Sequence, residues 1–138
     1  MQIESTCVTP TNSTRQSSVN YELIQELCPG YLHAYLAGGK AKGESLDRYA
    51  IRILETCRRL NKQRLVIERR PRSTASDEDL FVLLNYLLVN DLNNMQIAYV
   101  DNEPEKSPGM RFAVREAARQ GRNIRSFRDE PTAVSWLS

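Results

Sequence analysis

YELIQELCPGYLHAYLA, running from Tyr21 to Ala37, decides how the rest of the chain is read. Both sides of Cys28-Pro29-Gly30 are strand-like, with alternating apolar positions and several aromatic or β-branched side chains. Proline presets φ and glycine accepts a positive φ, so the tripeptide between them is a tight turn. Two strands joined in this way must run antiparallel, and the segment is a hairpin.

Beyond the hairpin the apolar period lengthens. Leu46, Ala50, Ile53, Cys57 and Leu60 recur at helical spacing behind Ser45, a good N-cap, and Tyr49 and Leu54 widen the stripe. RLVIER (Arg64–Arg69) is a short buried-type strand, and Pro71 opens a loop. Ser76 then caps a helix whose first turn carries Asp77, Glu78 and Asp79, where carboxylates meet the positive end of the helix dipole. MQIAYV (Met95–Val100) is another buried-type strand. Gly109 to Gln120 is a third helix stopped by Gly121, Asn123 to Phe127 a last strand, and Pro131 to Leu137 a closing helical turn or two. The order β-β-α-β-α-β-α-β-α predicts an α/β domain. Its sheet is mixed but mostly parallel, with the opening hairpin adding one antiparallel strand at an edge.

Residues 1–18 are rich in Ser, Thr, Asn and Gln without periodicity and are expected to form a disordered tail, which leaves 19–138 as one domain. The N-terminus lacks a basic segment followed by an apolar one, and no apolar run is long enough to span a bilayer. Three cysteines at spacings that match no zinc or redox motif are expected as plain thiols, and with no export signal the expected setting is the cytoplasm. A formal net charge of +2 is too small to imply nucleic acid.

Candidate chemistry is sparse. The single histidine, His33, sits mid-strand on the face of Tyr31 and Tyr35, away from any nucleophile in the pattern. A lone histidine makes a transition-metal site unexpected. Gly38-Gly39-Lys40-Ala41-Lys42-Gly43 lies between a strand and a helix but satisfies neither phosphate-loop pattern, so it reads as a connector. Arg111, Arg115, Arg119 and Arg122 form one helical stripe, and Arg69, Arg70 and Arg72 a second cluster. No interleaved aromatic stacking set accompanies them, and both read as solvated faces. No catalytic residue, cofactor or metal ligand is expected.

The order of elements, the hairpin YELIQELCPGYLHAYLAG with its helix SLDRYAIRILETCRRLNK, the strand RLVIER and the closing IRSFRDEPTAVSWL together resemble the STAS-like superfamily over about Val19 to Leu137. That superfamily includes the anti-sigma-factor antagonists, small bacterial domains in which a serine at the start of the second helix is phosphorylated by a partner kinase. The resemblance implies a regulatory, protein-binding domain. Ser73, Thr74 and Ser76 occupy the corresponding region and are the phosphosite candidates. The family's Asp-Ser-Ser-Gly-like motif is absent, and none of the three matches it residue by residue.

The second helix is the informative anomaly. Plotted at 100° steps from Leu80 to Val89, only Asn85 interrupts an apolar circle, and Asn90 follows just beyond. Leu80, Leu83, Leu84, Leu87 and Leu88 suffice to cover a sheet, which leaves Val82, Tyr86 and Val89 for neighbouring helices, a second copy of the chain or another protein. The expected function is therefore a non-catalytic protein-interaction domain acting through loop 70–76 and helix 80–92. The rival reading is a small-molecule or lipid carrier with an apolar pocket between sheet and helices.

Overall fold

A computed structural model describes residues 22–37, 43–70, 76–91 and 94–138. The expected tail 1–18, Lys40 and Lys42 of the connector, and Ser73 and Thr74 lie outside them.

The hairpin forms as expected. Strand β1 (Glu22–Cys28) and strand β2 (Tyr31–Ala37) pair antiparallel in a register that places Cys28 opposite Tyr31. Gly30 takes φ +86°, the conformation that the two-residue turn requires and other residues resist. Helix α1 (Gly43–Arg59) follows, starting earlier than the Ser45 cap predicts. Then come β3 (Arg64–Arg69), α2 (Asp77–Asn90), β4 (Gln96–Asp101), a 3-10 turn (Pro104–Lys106), α3 (Pro108–Arg119), β5 (Ile124–Phe127) and α4 (Glu130–Leu137). Gly121, at φ +93°, ends α3 where the sequence placed a stop.

The five strands lie in sequence order, with every pair after the first parallel. Successive right-handed crossovers that always add the next strand on the same side must put their helices on one face. Accordingly α1, α2 and α3 share one core with Leu23, Leu32, Ala34, Leu36, Leu65, Ile67, Ile97, Tyr99 and Ile124. The alternate residues point the other way, where Val66, Ala98 and Val100 pack under Ala133 and Leu137 of α4. Strands β3 and β4 are thus covered twice, which explains their unbroken apolar runs. Helix α4 is set by Asp129, whose carboxylate accepts from the Thr132 backbone N–H at 2.8 Å.

Among the described residues no helix is long and apolar enough to cross a membrane. The cysteine expectation needs one correction, because Cys28 is disulfide-bonded. Cys57 is a free thiol inside the main core, and burial pushes its pKa up to about 12. The thiolate is the reactive form. Iodoacetamide at mildly alkaline pH should therefore leave Cys57 unmodified in the native protein and label it fully in denaturing guanidinium chloride, as read by peptide mass. Rapid labelling of the native protein would show that α1 opens readily.

Candidate functional site

Helix α2 lies between α1 and α3, and its two flanks differ. Ser76 caps it, accepting from the Asp79 N–H at 3.1 Å, and Leu80, Leu83, Leu84 and Leu87 bury against the sheet. Helix α1 packs closely along α2, whereas α3 meets it at few positions. The gap between α2 and α3 is an open groove of about 520 Å³, lined by Phe81, Leu84, Leu88, Val89, Phe112, Val114 and Ala117, with Asn85, Glu116, Gln120 and Arg122 as polar lining. Phe81 is 49%, Phe112 62% and Val89 66% exposed. Exposed side chains of this size clustered around an apolar depression are uncommon on a surface with no partner.

This placement refines the sequence reading of the helix. Val89 is outward as expected, but Val82 and Tyr86 are half-buried against the main core. At 100° per residue they sit on the flank opposite Phe81, Asn85 and Leu88, and that flank is closed by α1. Phe81 was hidden by the helix's all-round apolarity. Phe112 did leave a signal, lying roughly 200° round α3 from buried Met110, among arginines. The arginine stripe behaves as a solvated face: Arg111, Arg115 and Arg119 are exposed, and Arg119 pairs with Glu116 at 2.8 Å. Arg122 instead donates to the Leu88 carbonyl and ties β5's approach to α2.

The loop end of the sheet is held by Arg69. Its guanidinium donates to Asp77 and to Ser107 Oγ, while Ser107 Oγ donates to Asp77 Oδ1 at 2.9 Å. These bonds join the end of β3 to the starts of α2 and α3, and Asp101 at the end of β4 lies 3.9 Å from the same guanidinium. Of the phosphosite candidates only Ser76 is described, and its hydroxyl is engaged as the cap of α2.

On the other face, beside α4, the strands assemble a polar cluster that sequence spacing did not bring together. His33 is 1% exposed. Its Nδ1 donates to Glu26 Oε1 at 2.9 Å on β1, and its Nε2 to Glu68 Oε1 at 2.7 Å on β3. An ionised carboxylate only accepts, so serving both carboxylates at once takes a hydrogen on each ring nitrogen, the cationic form of the imidazole. Burial alone would lower its pKa, but the hydrogen bonds to Glu68 and Glu26 outweigh it and raise it. Glu68 also loses solvent, yet His33 and Arg70 hold its pKa below the ordinary value. Arg70 Nε lies 3.1 Å from Glu68 Oε1, with its guanidinium 4.0 Å above the Tyr35 ring. Tyr31 donates to Glu130 Oε2 at 2.9 Å, at the first residue of α4.

No protein-family model, no curated protein and no solved structure matches this chain.

Proposed function

We propose that this domain is a non-catalytic protein-interaction module that receives an apolar segment of a partner in the α2–α3 groove. The observation that carries the proposal is the trio Phe81, Val89 and Phe112, exposed around a groove with an apolar floor and a polar lining. Such a groove suits the apolar stripe of a helix, with the surrounding polar groups meeting the segment's edges. A regulatory role and kinship with the STAS-like domains belong to the same proposal and rest on the order of elements and the local patterns. The groove is the working surface proposed here, and residues 71–75 of the loop 70–76 lie outside the described ones.

The carrier reading has less support. The space between sheet and helices bounded by Leu23, Leu36, Ile53, Ile67, Leu80 and Leu83 is filled, with about 0 Å³ free. A disulfide such as that of Cys28 is one that reducing compartments do not maintain, so the proposal carries no cytoplasmic location with it.

A photo-crosslinking residue at position 112, compared with one at exposed Ser135 on α4, tests the proposal in the native cell. The expected result is a discrete crosslinked protein from 112 and none from 135. A product from 112 that is a second copy of this chain makes the partner the domain itself, and light scattering should then report a dimer. Equal products from both positions, or none from 112, would sink the proposal.

A further inference from the structure

We propose that His33, Glu68 and Glu130 form a binding site for a divalent first-row transition cation of the Zn²⁺ class, with Glu26 and Tyr31 as its outer partners. One nitrogen of His33 and one carboxylate oxygen each from Glu68 and Glu130 all lie within 4.8 Å of one another. The donors come from three separately anchored elements, β2, β3 and the capped first turn of α4. The donor set is mixed, one imidazole and two carboxylates, which zinc accepts. Magnesium and calcium instead seek six or more oxygens.

Two further features support binding. The first is the outer arrangement: Glu26 holds the Nδ1–H at 2.9 Å and orients the ring so that Nε2 faces Glu68 at 2.7 Å, where a cation would replace the Nε2 proton, the carboxylate–histidine–metal arrangement of zinc proteins. Tyr31 occupies Glu130 Oε2 and leaves Oε1 free of that bond. The second is charge. Glu26, Glu68 and Glu130 are three carboxylates, and among the described residues Arg70 is the one guanidinium paired with them, which leaves two negative charges around the ring. A proton on His33 offsets one of them; a divalent cation offsets both. His33 itself is shielded from water, where such attraction is least screened, while Glu68 and Glu130 are only half-buried and form the entry side, from which solvent would supply the fourth ligand.

Calorimetric titration of the full chain, first stripped with a chelator, tests this with Zn²⁺ and Mg²⁺ as the probes. The expected result is one Zn²⁺ per chain at micromolar or tighter affinity and no measurable Mg²⁺ binding. Glu130→Gln, at a half-buried helix start, should weaken Zn²⁺ by about tenfold or more, and Glu26→Gln by roughly 10–100-fold through the ring's orientation. Both variants should keep the wild-type circular dichroism, and Zn²⁺ should raise the melting temperature of the wild type more than that of either variant. Absence of Zn²⁺ binding, equal Mg²⁺ affinity, or Zn²⁺ binding unchanged in Glu130→Gln would overturn the proposal.

Discussion

His33→Ala is expected to lower folding stability by about 3 kcal/mol, the low end of the range for removing one partner of a buried ionic cluster. The low end applies because the Glu26 and Glu68 side chains are 27% and 19% exposed, so water can reclaim part of what the ring supplied. Two costs add. The ring leaves a cavity in a sheet position that is 1% exposed, and it leaves two carboxylates on β1 and β3 facing each other across β2 with no charge between them. His33→Gln keeps size and hydrogen bonding without charge and should lose less, about 1–2 kcal/mol. Urea midpoints with unchanged slope measure both. A loss below about 0.5 kcal/mol for His33→Ala, the scale of an ordinary surface change, would show that the cluster does not hold the three strands together.

Half of that cluster was legible. A two-residue turn at Pro29-Gly30 dictates that Cys28 faces Tyr31, and counting back from it puts Glu26 opposite His33. The partnership with Glu68 was not, because no turn sets the register between parallel strands; it depends on how α1 spans from β2 to β3. Glu130 is more remote still, reaching the ring only because α4 crosses to the second face after β5. A lone histidine in a sequence looks poor in ligands for this reason: carboxylates supplied by other elements do not appear beside it.

The sheet was far more readable than the site. Alternation in β1 and β2, and double burial in β3 and β4, are direct consequences of which faces helices cover, and the crossover rule sends three helices to one of them. Helix α2 shows where pattern alone stops. Its apolarity indicates that more than the sheet must be met, but not which flank a neighbour closes. Val82 and Tyr86 went to the α1 side, and Phe81 and Leu88 were left along the gap to α3.

That gap yields the second large effect. Phe81→Glu combined with Phe112→Glu should remove two aromatic anchors and put two negative charges in an apolar groove. An aromatic residue at the centre of an interface commonly contributes about 2 kcal/mol or more, and such losses do not simply add, so the pair should cost at least one full anchor and binding should fall by about thirtyfold or more. Folding should hardly change, by less than about 1 kcal/mol for each position, since Phe81 and Phe112 are 49% and 62% exposed and glutamate is a good helix former. This separation of binding from stability is what distinguishes a docking surface from a loosely packed flank of the core.

The most direct test of the interaction account is the affinity of the wild type and this double variant for the protein captured from position 112, measured side by side with their thermal unfolding. The account predicts a loss of about thirtyfold or more in affinity with nearly superimposable melting curves. Equal affinities, or a loss of binding accompanied by a matching loss of folded structure, would contradict it.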